Sequence, residues 1–154
     1  MIDNDDLIIE DDTSEEDSTE HPSWKILIAD DDEQVHLVTR LVLDKMQFEG
    51  KPLKCISTHS GLETREYLQK NEDVCVLLLD VVMETQDAGL QTARYIRQEL
   101  QNSRLRIILR TGQPGQAPEQ QVIDDYEIND YKEKAELTVG KLYTTVKSAL
   151  RSYR

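Results

Sequence analysis

The run Cys75-Val76-Leu77-Leu78-Leu79 has no polar interruption and ends on Asp80. Five consecutive apolar residues are strand length, and the lack of alternation leaves no face for solvent. Such a strand is covered on both sides, which is the pattern of a parallel sheet clothed by helices. Lys25-Ile26-Leu27-Ile28-Ala29 has the same character and is followed at once by Asp30, Asp31, Asp32 and Glu33. Both strands deliver carboxylates at their C-terminal ends.

Between and after these runs the pattern changes to helical spacing. Val35, Val38, Leu41, Val42 and Met46 mark a first helix over about 33–47. Gly50 and Pro52 break the chain before a second strand, Leu53–Ser57. Ser60 and Glu63 have capping-box spacing and open a helix to about Lys70. Leu90, Ala93, Ile96 and Leu100 mark a third helix. Leu105–Leu109 is a fourth strand, and Pro118 starts a short helix over about 118–125. Ile128–Tyr131 is a weak fifth strand. Val139, Leu142, Tyr143, Val146, Ala149 and Leu150 make a final helix. Five strand-helix units predict an α/β, doubly wound, five-stranded parallel sheet with helices on both faces and right-handed crossovers.

At 154 residues the chain suits one domain. Its net charge of −13 is concentrated at the N-terminus, where residues 1–20 hold ten acids and no Lys or Arg. Thirty-one acids less those ten leave 21 against 18 bases in the remainder. Residues 1–22 therefore read as an acidic disordered tail, with Leu7-Ile8-Ile9 its single apolar knot, and 23–154 as the domain. No clustered basic face favours direct nucleic-acid binding. No run of about 18 apolar residues spans a membrane, and no signal peptide precedes the domain, so the chain reads as cytoplasmic. Cys55 and Cys75 lack metal-ligand or CxxC spacing and read as small hydrophobes in a reducing compartment.

In an open parallel sheet, ligands bind beyond the carboxyl ends of the strands. The polar residues at those ends are Asp30 and Asp31, Asp80, Thr111 and Lys134. Crowded carboxylates need a cation, and hard Mg²⁺ or Mn²⁺ suits carboxylates plus phosphate oxygen. A strand-tip carboxylate can attack phosphorus and form an acyl phosphate. A metal, a lysine and a hydroxyl then stabilise the equatorial oxygens. On this reading Asp30 and Asp31 hold the metal, Asp80 is the nucleophile, and Thr111 and Lys134 grip the phosphoryl group.

The segments "KILIADDDE", "VLLLDVVM", "ILRTG" and "NDYKEK" together resemble the receiver domain of bacterial response regulators, and the resemblance covers residues 24–154. It implies a flavodoxin-like sheet of order 2-1-3-4-5. Asp80 would be the phosphoacceptor and Asp31 a direct metal ligand. Asp30 would assist directly or through water, and the Val82 backbone carbonyl would complete the set. Thr111 would be the switch hydroxyl and Tyr131 the aromatic that turns inward on activation. Implied partners are a sensor histidine kinase or histidine phosphotransfer protein, a C-terminal output domain in a longer protein, and a second copy on phosphorylation. The domain would be a signalling module that catalyses only its own phosphotransfer and dephosphorylation, reshaping the face of its fourth helix, fifth strand and last helix.

Three departures from that pattern stand out. Ala135 follows Lys134 where proline is common, which leaves the peptide geometry there open. The loop from Asp80 to Gly89 is one residue longer, and Glu84 replaces its proline. "LRTGQPGQAPE" is similar to a subgroup fused to a sensory-type domain and an output such as a cyclic-dinucleotide phosphodiesterase, so the chain is expected to be part of a longer regulator.

Plainer roles compete at several positions. Asp32 reads as a helix cap, Lys132 competes with Lys134 in register, Thr111 could be a turn hydroxyl, and Tyr131 a core aromatic. His21, His36 and His59 read as surface or partly buried, which puts the donor histidine on another protein. A haloacid-dehalogenase-type phosphatase wants a carboxylate two residues after the nucleophile, where this chain has Val82. A degenerate receiver serving as an interaction module would lack part of the acidic set. No GxGxxG follows the first strand, which excludes a dinucleotide-binding domain.

Overall fold

The computed structural model describes residues 22–112, 119–134 and 137–154. The chain runs β1 (Trp24–Ala29), α1 (Glu33–Leu43), β2 (Gln47–Phe48), β3 (Lys51–Thr58), α2 (Gly61–Lys70) and β4 (Val74–Asp80). It continues with α3 (Ala88–Arg94), prolonged by a π-helical turn Tyr95–Glu99. Then come β5 (Arg106–Thr111), α4 (Glu119–Tyr126), β6 (Asp130–Glu133) and α5 (Val139–Tyr153). The acidic residues 1–21, Pro118 and Ala135, with its peptide bond to Lys134, lie outside the described residues.

The sheet has the order β2-β3-β1-β4-β5-β6. Its five parallel strands follow the expected 2-1-3-4-5 pattern. The sheet is six-stranded and mixed rather than purely parallel, because β2 pairs antiparallel with the start of β3. Glu49 and Gly50 carry φ of 52° and 78° and form the two-residue turn that makes this hairpin. Gly50 and Pro52 read as breakers in sequence. The hairpin tolerates Pro52 because β2 is two residues long and lies at the sheet edge.

Alternation along each strand divides the core. Ile26, Ile28, Val76, Leu78 and Ile108 pack against Leu43 of α1 and Leu142, Val146 and Leu150 of α5. Leu27, Leu77, Leu79, Ile107 and Leu109 pack against Leu68 of α2, Ala93 and Ile96 around α3, and Val122 of α4. Every residue of β4 is buried, as its unbroken apolar run predicts.

The buried face of α1 differs from the expected one. Leu37, Val38 and Leu41 are exposed, while His36, Thr39 and Leu43 are buried. The helix turns this way because the two polar residues have partners beneath them: His36 bonds Ser57, and Thr39 accepts from Arg110. The helix also ends at Leu43, short of 47, where the hairpin begins. At the opposite end of the sheet, Trp24 donates to the Phe48 carbonyl at 2.8 Å and meets Tyr153 edge-on. This contact ties the hairpin to the end of α5.

Candidate functional site

Register alone brings the acidic residues together. Ala29 pairs with Leu79, so Asp30 and Asp80 stand side by side one step beyond, and Asp80 pairs with Arg110. Period-2 alternation puts Asp30, Asp80 and Arg110 on the α1/α5 side of the sheet, in line with Ile28, Leu78 and Ile108. Thr111 falls on the other side with Leu109. Carboxylate oxygens of Asp30, Asp31 and Asp80 lie within 4.8 Å of one another. Asp30 and Asp80 are buried, while Asp31 is exposed.

Lys134 completes this group from the end of β6. Its Nζ lies 3.0 Å from Asp30 Oδ2 and 3.2 Å from Asp80 Oδ2. Lys132 points elsewhere, 3.8 Å from Asp130, so of the two lysines it is Lys134 that meets the acid row. Asp32 is a helix cap as expected, its Oδ1 accepting from the Gln34 N–H at 2.9 Å. The other Asp30 oxygen, Oδ1, accepts from the Asp32 N–H at 2.9 Å. Val82 sits half-buried in the turn after Asp80.

Thr111 is buried at the tip of β5. Tyr131 pairs in register with Leu109 and is already buried. The two line one cavity of about 320 Å³ with Val81, Leu90 and Val122.

Charge is the dominant feature of the site. Burial, then the neighbouring Asp30, pushes the Asp80 carboxyl up to about 6, against the lowering pull of Lys134. Burial opposes the charge on Lys134, but Asp30 and Asp80 outweigh it and raise its pKa. The ammonium thus bridges two buried carboxylates whose repulsion it relieves only in part. An all-oxygen set carrying surplus negative charge is the chemistry a hard divalent cation fits.

Four positioning residues carried no clear signal in sequence. His36 is buried, beyond its reading as surface or partly buried. Its Nε2 lies 2.8 Å from the Asp30 carbonyl oxygen and its Nδ1 2.9 Å from Ser57 Oγ, which accepts from Arg40. Glu84 reaches across to α2 and accepts from the N–H groups of Gly61 and Leu62 at 2.6 and 2.9 Å. Gly89 donates to the Val81 carbonyl, and a Cβ there would lie 2.1 Å from the Asp80 carbonyl oxygen. Arg110 is buried beside the acid row. In sequence His36 and Arg110 are ordinary helix and strand residues, while Glu84 stood out only as replacing a proline and Gly89 only as the end of the loop after Asp80.

This fold is the one seen in solved receiver domains of response regulators. No family model matches the chain. A curated relative, the 3'3'-cGAMP-specific phosphodiesterase 2 of Vibrio cholerae, is 56% identical over 131 residues, 85% of this chain. The chain spans about a quarter of that relative's length. Among solved structures, the N-terminal domain of a response regulator/sensory box/GGDEF three-domain protein from Carboxydothermus hydrogenoformans is 25% identical, with a TM-score of 0.69. That likeness covers 84% of this chain and 95% of the other. The Mn²⁺-bound form of the response regulator Rcp1 is 19% identical, with a TM-score of 0.64 over 81% of this chain and 90% of the other. No helix among the described residues is long and apolar enough to cross a membrane.

Proposed function

We propose that residues 23–154, behind an acidic tail of residues 1–22, form a phosphoacceptor receiver that takes a phosphoryl group onto Asp80. The observation that carries this reading is the cluster itself: three carboxylates within 4.8 Å, with the Lys134 ammonium 3.2 Å from the Asp80 oxygen. The donor is a phosphohistidine on a sensor kinase or histidine phosphotransfer protein. An Asp80 oxygen attacks phosphorus, the P–N bond breaks, and the bond's electron pair leaves with the imidazole. Asp30, Asp31, Asp80 and the Val82 carbonyl would hold Mg²⁺ or Mn²⁺. When bound, that cation neutralises charge on the transferring oxygens. Lys134 orients and charge-balances the same oxygens, and Thr111 donates to one of them.

Return to the resting state is attack of water on the acyl phosphate, releasing inorganic phosphate. The domain catalyses no other reaction in this reading, and any further activity belongs to an output it controls. The identity to the Vibrio cholerae protein favours a cyclic-dinucleotide phosphodiesterase as that output in a longer chain. A second copy of the receiver is the alternative partner for the altered face.

Treatment with acetyl phosphate and Mg²⁺, followed by intact-protein mass spectrometry, tests the proposal. Wild type should gain one phosphoryl group and Asp80→Asn none. Equal yields in the two proteins would show that Asp80 is not the acceptor.

A further inference from the structure

Helix α1 is turned against its own hydrophobicity. Leu37, Val38 and Leu41 are 49%, 53% and 67% exposed, while His36 and Thr39 are each 1% exposed. Burial of apolar surface is the main favourable term in folding, so packing alone would turn the three large apolar residues inward. What the helix gains in exchange is the placement of His36.

A carbonyl oxygen can only accept, so His36 Nε2 carries a proton and donates to the Asp30 carbonyl at 2.8 Å. In the neutral ring Nδ1 then accepts from the Ser57 hydroxyl at 2.9 Å, and Ser57 Oγ accepts in turn from Arg40 Nη2 at 2.9 Å. The chain of bonds runs in one direction, from the Arg40 guanidinium to the Asp30 carbonyl, and selects one tautomer of the ring. His59 stacks on that ring, with centroids 4.4 Å apart.

The carbonyl that His36 holds belongs to the peptide joining Asp30 to Asp31. The peptide before it is held as well, by the Asp30 N–H donating to the Thr58 carbonyl at 3.2 Å. At the side chain, Asp30 Oδ1 accepts from the Asp32 N–H, and Oδ2 meets the Lys134 ammonium at 3.0 Å. Asp31 is exposed, so the direction in which it leaves the backbone decides how it meets the acid row. The peptide under His36 sets that direction.

We propose that His36 is a positioning residue for cation binding, aiming the Asp30 and Asp31 carboxylates through their shared peptide without touching the ion; this rests on the reading of Asp30, Asp31 and Asp80 as the Mg²⁺ or Mn²⁺ site. Groups that hydrogen-bond a metal-binding residue and fix its orientation commonly carry about 10–100-fold of the affinity.

Mn²⁺ is the probe, its free concentration read by electron paramagnetic resonance in titrations of the full chain. His36→Leu should bind it about tenfold or more weakly, and His36→Gln, whose amide can donate to the same carbonyl, should recover to within about threefold of wild type. Asp31→Asn, which lacks one of the proposed metal carboxylates, identifies the part of the binding that belongs to the acid row. A measurement on wild type decides the matter if neither His36 variant folds. In isotope-labelled protein the His36 Nε2–H should appear as a slowly exchanging imidazole proton by NMR, and it should shift when Mg²⁺ is added. If Asp31→Asn loses Mn²⁺ and folded His36→Leu binds as wild type does, the proposal for His36 alone is overturned. It is overturned equally if His36→Gln binds as weakly as His36→Leu, or if the imidazole proton stays where it was in Mg²⁺. Equal binding by Asp31→Asn and wild type would instead overturn the acid row as the metal site, and the role of His36 with it.

Discussion

Asp80 stands one step past Leu79 on a strand buried along its whole length, and that placement fixes its acidity. Burial, then Asp30, pushes its carboxyl up to about 6 in the folded chain, from 3.8 for an unperturbed aspartate. Between these values the native state binds a proton that the unfolded state does not, so stability rises as pH falls. In metal-free buffer this contributes on the order of 2–3 kcal/mol between about pH 7 and pH 4. Asp80→Asn holds that gain at every pH, so it should be the more stable protein at pH 7 and converge with wild type near pH 4. Urea unfolding at pH 7, 5.5 and 4 measures the gap, and a gap that does not narrow on acidification sinks the idea. Mg²⁺ should stabilise wild type more than Asp80→Asn, since a ligand that binds only the native site adds stability by mass action. The convergence of Asp30, Asp31, Asp80 and Lys134 was legible in sequence because each follows or ends a strand. His36 and Arg110 were not, because a buried histidine or arginine is recognisable only once its partners across the sheet are known.

The loop after β4 is held at both ends. Gly89 sits so close to the Asp80 carbonyl that no side chain fits, while Glu84 accepts from the first two N–H groups of α2. Glu84 thus does the work of an N-cap from a distant segment, and those backbone N–H groups hold its pKa down in spite of partial burial. Ser60 supplies a second cap, accepting from the Glu63 N–H at 3.0 Å. Glu63 turns back to the His59 N–H, so half of the expected capping box forms. Removing a cap costs about 1 kcal/mol, with a range of about 0.5–2. Glu84→Ala should lower stability by about that much, and Glu84→Gln by less because it keeps one acceptor. Chemical denaturation at pH 7 resolves the series, and Glu84→Ala matching wild type would show the bonds to be incidental. Strands and helices were legible at this scale wherever apolar runs were long. The hairpin was missed because Glu-Gly is a weak turn signal beside Pro52, and the α1 face because exposed Val38 and Leu41 imitate a core stripe.

Across the whole molecule, the two sides of the sheet carry different duties. Asp30, Asp80 and Arg110 face α1 and α5, while Thr111 and Tyr131 share a cavity of about 320 Å³ toward α3 and α4. Thr111 stands at the tip of β5, one residue past Arg110, so a phosphoryl group that draws its hydroxyl toward Asp80 would alter the wall of that cavity. Tyr131 is already buried there, so the expected response is a repacking of the ring within existing space rather than entry from solvent. The movement would reach α4, β6 and the start of α5, where Val139 and Tyr143 are exposed. A ligand drives such a change only to the extent that it binds one arrangement more tightly than the other. Beryllofluoride, standing in for the phosphoryl group on Asp80, should therefore shift amide signals over 119–134 and 137–143 as well as at the site. Thr111→Ala should still bind it at Asp80, since Lys134 and the carboxylates remain, but the shifts around Tyr131 and Tyr143 should fall by more than half. Tyr131→Ala should bind normally and lose the response in α5 alone. If Thr111→Ala and wild type show the same distant shifts, the hydroxyl does not couple the site to this face, and the coupling must run instead through Lys134, which joins Asp30 and Asp80 to the chain just after β6.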